Sequence, residues 1–231
     1  MFGISPQYIF LMLFIMAISF AAQSYLTSTF GRFQKIRNAR DITGAEVARD
    51  ILDANGLTDV QVEPVAGQLT DHYDPTTRTV RLSEPNYASP SLSALAVAAH
   101  ECGHAIQHKQ GYALLNLRAA MVPAVNIGSQ FGPLLIMFGL FLSIPSIAWI
   151  GVIGLVGALA FHAVTLPVEF DASARALKIL EGNGYLTREE NAGAKSVLTA
   201  AAMTYVAGAI GALVTLLYYV SLLSGGSRRS E

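Results

Sequence analysis

Hydrophobic and polar positions divide this chain into long uncharged blocks and shorter segments where the two kinds alternate. Residues 8–29 hold no charged side chain, and crossing a hydrocarbon core takes about 20 residues. Residues 119–165 carry only His162 as an ionisable group and are interrupted at 143–146 by Ser-Ile-Pro-Ser, so they have the length of two spans joined by a tight turn. Residues 203–223 are again charge-free. The pattern predicts about four transmembrane helices. The second is the least regular, because residues 123–133 (PAVNIGSQFGP) are polar enough to line a surface or cavity.

Between the first two blocks the periodicity changes. Thr43 and Glu46 form a capping box ahead of an apolar stripe at Val47, Ile51 and Leu52, with Gly56 as the stop, which predicts one amphipathic helix. Residues 59–65, 68–73 and 78–84 are strand-like, with the turn signal Asp74-Pro75 between the last two, so a small sheet ending in a hairpin follows. Ser89 and Pro90 supply a cap and first turn for a helix that runs to a stop near Gly111. The expected organisation is an anchor at 1–30, an α+β unit at 31–118, a transmembrane hairpin at 119–166, a helical segment at 167–202, and a last membrane helix with its tail at 203–231. The fold class is a mainly α membrane protein carrying a small α+β unit.

Composition agrees with a membrane location: 52% of residues are hydrophobic and 13% charged, where a soluble domain has about 25% charged. Net charge is −1 and no basic cluster is interleaved with aromatic residues, which argues against nucleic acid as a partner. The single cysteine, Cys102, excludes an intrachain disulfide. No Lys or Arg precedes the first apolar block, as a cleaved signal peptide would require, so a retained anchor is expected. Arg32, Lys35, Arg37 and Arg40 follow that block directly. By the positive-inside rule residues 30–118 and 166–202 face the cytoplasm, where 13 of the 15 Lys and Arg then lie; Arg228 and Arg229 fall on the other side.

The chemistry is concentrated in residues 100–108, HECGHAIQH. On a helix His100 and His104 are one turn apart and about 40° from each other around the axis, so both imidazoles can reach one ion, while Glu101 is rotated by about 100°. His-Glu-Cys-Gly-His satisfies H-E-x-x-H, in which two neutral imidazoles bind zinc and the glutamate serves as base at the open position. A catalytic zinc needs a third protein ligand. His108 sits about 12 Å along the axis from His100 and cannot share the metal with both histidines. The longer metzincin pattern fails because Gln107 occupies the glycine position and Gly111 the last histidine position. The better candidate is Glu169, in LPVEFDASARALKIL: a membrane hairpin returns the chain to the side it left.

These residues carry a resemblance. H-E-x-x-H, a hydrophobic hairpin, and then Glu-Phe-x-Ala opening a polar helix resemble the gluzincin arrangement of membrane-bound HtpX-type peptidases. LTDHYDP, VRLSEPNY, AAHECGHAIQH, PVEFDAS and AAAMTYVAGA resemble, over nearly the whole chain, the YugP-type family of bacterial membrane zinc metallopeptidases. The resemblance implies a zincin-like catalytic unit in the bacterial inner membrane. It implies one zinc ion per chain on His100, His104 and Glu169, and a catalytic base at Glu101. Ser173 stands where the HtpX-type pattern has an aspartate, so the role of orienting a metal histidine is open between Asp171 and Ser173.

The expected reaction is peptide-bond hydrolysis in membrane or membrane-proximal proteins, with Glu101 moving the proton from water to the leaving amine. Candidates for stabilising the oxyanion are His162, Tyr205, Arg175 and His72. The strands near 68–73 and 79–83 are candidate edges for an extended peptide. A homo-oligomer is compatible with the sequence. Among rival readings, a site-2-type intramembrane protease requires an L-D-G motif that does not occur, and a di-iron membrane hydroxylase needs about eight histidines where this chain has five. A non-catalytic adaptor stabilised by zinc is the alternative, and Glu101 argues against it because only catalysis requires a carboxylate there.

Overall fold

The computed structural model describes residues 5–227. It is mainly helical, in the order α1 (Pro6–Phe33), α2 (Gly44–Ala54), β1 (Gln61–Val65), β2 (His72–Asp74), β3 (Thr79–Ser83), α3 (Glu84–Tyr87), α4 (Leu92–Lys109), α5 (Ala113–Phe141), α6 (Pro145–Gly182) and α7 (Arg188–Ser227). Four of these, α1, α5, α6 and α7, are long and apolar enough to cross a membrane. Two compact units emerge: residues 22–116 with 167–203 form one, and the remaining described residues the other.

The first unit has a core built around α4. α2 begins with the capping box, Glu46 N–H donating to Thr43 Oγ1 at 3.3 Å and Thr43 N–H to Glu46 Oε2 at 2.8 Å. Its stripe of Val47, Ala48, Ile51 and Leu52 is fully buried. The turn after it needs a left-handed residue, and Gly56 supplies one at φ +64°. The sheet has the order β1-β3-β2, with β1 parallel and β2 antiparallel to β3. β3 is therefore central, and Val80 and Leu82 are fully buried in the core. This corrects the sequence expectation that residues 79–83 offer an edge; β1 and β2 are the edges, and Pro64, which has no N–H to donate, sits in one of them. The β2–β3 turn is organised by Asp74, whose carboxylate accepts from Thr76 N–H at 2.9 Å and the Thr77 hydroxyl at 2.8 Å.

α4 starts later than its sequence suggests. Ser91, not Ser89, is the N-cap, accepting from Ala94 N–H at 3.2 Å. The reason is that Pro90 lies in an extended connection whose carbonyl accepts from Asn38 N–H, while Leu92 N–H bonds Ile36 O. The helix is buried almost all round, and its many alanines let neighbours come close. At its far end Lys109 donates to the Asn55 and Gly56 carbonyls, placing a cation on the carboxyl end of α2. Leu180 of α6 and Ala194, Val197 and Leu198 of α7 complete the core.

In the second unit α5 is a single helix through residues 123–133, despite Pro123 and Pro133 and the polar composition that makes this stretch irregular in sequence. Small residues explain how it packs. Gly128 and Gly132 face Gly154 and Gly151 of α6, and a Cβ at Gly151 would overlap the Gly132 carbonyl. Ile136 is fully buried in that hairpin. The turn at 142–144 places Ser143 at φ +56°.

Candidate metal centre

Two helices of the first unit position the site. α4 presents His100 and His104 one turn apart, their rings edge to face with centroids 4.7 Å apart. α6 presents Glu169 against them. Its Oε2 lies 3.2 Å from His100 Nε2 and 3.6 Å from His104 Nε2. One ligand atom from each of the three residues lies within 4.8 Å of the other two. The close approach depends on Gly103, since a Cβ there would meet the Ala172 carbonyl at 2.8 Å. Glu169 is 2% exposed and His104 8%, while His100 is half-buried, so two nitrogens and one carboxylate meet largely out of solvent. That donor set is one that catalytic zinc takes, and it leaves a coordination position for water or substrate.

Glu101 is 7% exposed and stands beside this trio on α4. Burial pushes its carboxyl above the ordinary value, against the pull of the two neighbouring imidazoles. A carboxylate with raised proton affinity is suited to take up a proton and hold it for transfer. Cys102, on the other side of the helix, is fully buried; burial pushes its thiol far up, which leaves it inert.

Both histidines are held from behind. His100 Nδ1 is 3.2 Å from the Ser173 hydroxyl, and His104 Nδ1 is 3.0 Å from Gln107 Oε1. Gln107 in turn donates to Val168 O at 2.9 Å and to Asp171 Oδ2 at 2.8 Å. Ser173 thus touches His100 directly, and Asp171 reaches His104 through Gln107. Sequence reasoning misses Gln107 as a site residue, reading its position only as a mismatch to the metzincin glycine. The signal available is a polar residue three positions after His104, on a helix apolar enough to be buried.

Arg175 is ion-paired to Asp171 and donates to Gln110 Oε1 at 2.7 Å. His72 is exposed on β2, its Nδ1 2.8 Å from Thr70 O. His162 and Tyr205 belong to the second unit. His108 pairs with the Tyr73 hydroxyl at 2.9 Å, linking β2 to α4.

A family model described as "putative neutral zinc metallopeptidase" matches residues 8–224. The chain belongs to this family. It is also 47% identical over 219 residues to the "Putative membrane protease YugP" of Bacillus subtilis (strain 168), a match covering 95% of this chain and 97% of that one. No solved structure matches. A zinc peptidase family and a buried two-histidine, one-glutamate cluster point to the same metal.

Proposed function

We propose that the protein is a membrane zinc endopeptidase of the gluzincin type. In this reading His100, His104 and Glu169 hold one zinc ion and Glu101 is the general base. The observation that carries the reading is the convergence of a carboxylate from α6 on the paired imidazoles of an H-E-x-x-H helix. When bound, zinc supplies a Lewis acid that polarises the scissile carbonyl and acidifies a water. Glu101 takes the water's proton and delivers it to the leaving amine. Glu169 contributes the negative charge that makes the set two neutral histidines plus a carboxylate.

Substrates are membrane proteins or segments close to the bilayer, a proposal supported by the four apolar helices and by the membrane protease among the relatives. β2 is a sheet edge tied to the metal helix through Tyr73 and His108, which suits an extended peptide adding as a further strand. The distribution of Lys and Arg supports a cytoplasmic orientation in the bacterial inner membrane. A reporter fused after Gly111 is expected to read cytoplasmic; an external signal would overturn that orientation. The central test compares detergent-purified wild type, Glu101→Gln and Glu169→Ala by metal analysis and digestion of an unstructured protein. Glu101→Gln should keep zinc and lose hydrolysis, and Glu169→Ala should lose both. Cleavage at the wild-type rate by Glu101→Gln removes the assigned base.

A further inference from the structure

We infer that Gln107 is the positioning residue that sets the tautomer of His104, with Asp171 fixing the direction of the Gln107 amide. The inference rests on the zinc reading above but concerns residues outside the ligand set. Gln107 is fully buried, and its side-chain amide meets three groups in a fixed order. Two of them, the Val168 carbonyl and the Asp171 carboxylate, can only accept hydrogen bonds, at 2.9 and 2.8 Å. The NH2 end of the amide must therefore face them. That leaves Oε1, an acceptor only, 3.0 Å from His104 Nδ1. Nδ1 must then carry the proton, and in the neutral ring, the form that binds a metal, Nε2, the nitrogen that faces Glu169, presents its lone pair. The order follows from donor and acceptor chemistry and needs no hydrogen position.

Asp171 is itself held by Arg175, which also donates to Gln110, so the chain of bonds runs from the metal site to partly exposed side chains. His100 is supported differently. Its Nδ1 meets the Ser173 hydroxyl, a group able to donate or accept, which imposes no tautomer. A neutral amide in place of a carboxylate behind His104 fixes the ring without setting a carboxylate against Nδ1.

Gln107 also ties α4 to α6 through Val168, so a positioning role must be separated from a simple tie. Gln107→Met removes acceptor and donors at similar volume. Gln107→Glu combined with Asp171→Asn keeps an acceptor at Nδ1, gives the new carboxylate a donor in the amide that replaces the Asp171 carboxylate, and, like Gln107→Met, leaves the Val168 carbonyl without its donor, so that the two variants differ at Nδ1. Zinc affinity by chelator competition and the visible spectrum of the cobalt-substituted protein are measured for wild type and both variants. Gln107→Met should bind zinc about 10- to 100-fold more weakly and shift the cobalt bands. The double variant should recover most of the affinity and the wild-type spectrum. Wild-type affinity and spectrum in Gln107→Met, or a double variant no better than Gln107→Met, overturns the inference. If Gln107→Met does not fold, the double variant decides alone, and weak binding there overturns it. A wild type that takes up neither zinc nor cobalt overturns the peptidase reading itself, a different result from equal binding by all three.

Discussion

Gly103→Ala tests whether the spacing between α4 and α6 sets the metal site. Gly103 precedes His104, and Ala172 is three residues beyond Glu169 on the facing helix. The added Cβ would lie 2.8 Å from Ala172 O and 3.2 Å from its Cα, where ordinary contact begins at 3.4 Å, so the helices must part by about 0.6 Å. The obstructing atoms are backbone and cannot rotate away. Overpacking of this kind costs about 1–3 kcal/mol, and replacing glycine by alanine in a helix returns about 1 kcal/mol, so the net destabilisation is about 0–2 kcal/mol. Metal–ligand distances tolerate only about 0.2 Å, so binding suffers more than folding. The expected outcome is a small drop in melting temperature of the metal-free protein with a loss of at least about tenfold in zinc affinity, comparable to losing a supporting hydrogen bond. Chelator competition and thermal melts on the same detergent-solubilised samples measure both. Wild-type zinc affinity in Gly103→Ala would refute the claim that this contact sets the distance between the imidazoles and Glu169.

Three further outcomes are expected. Asp71 accepts from Ser83 N–H at 2.7 Å, from the Ser83 hydroxyl and from the Asn86 amide, and both partners are fully buried; Asp71→Ala strands them and should cost about 3 kcal/mol in chemical denaturation. The Thr77 hydroxyl, Thr76 N–H and Arg81 hold the Asp74 carboxyl well below the usual carboxylate range. Because its folded value is depressed, its contribution is present above the unfolded value of about 3.9 and is lost as pH falls through the folded one. Melts of Asp74→Asn should therefore converge with wild type in acid and fall below it at neutral pH. Stripping metal with a chelator should abolish proteolysis and lower the melting temperature, and zinc should restore both; activity that survives complete demetallation would contradict a metal-dependent reaction.

Local signals in the sequence carry the helices far better than the sheet. The capping box at Thr43 and Glu46 and the uncharged blocks are short-range features, and the helices they announce are present. H-E-x-x-H needs only one turn of helix, and the return of Glu169 follows from counting spans. Strand order is a different matter: which of three strands is central is decided by pairings between residues far apart, and so β3 reads as an edge when it is not one. The short helix α3 escapes the sequence reading although Pro85 sits in its first turn. Gln107 is half legible: His104 lies one helical turn before it, but the groups that fix its amide do not. Its partners Val168 and Asp171 are 61 and 64 residues away.

The cluster draws two of its members from α4 and the third from beyond the α5–α6 turn, on the far side of 64 intervening, largely apolar residues. During synthesis a ribosome finishes the histidine pair long before it makes the carboxylate that joins them, and the lipid-seeking stretch must emerge first. A half-made chain therefore lacks the complete trio, and any chemistry that needs all three side chains waits for α6 to be made.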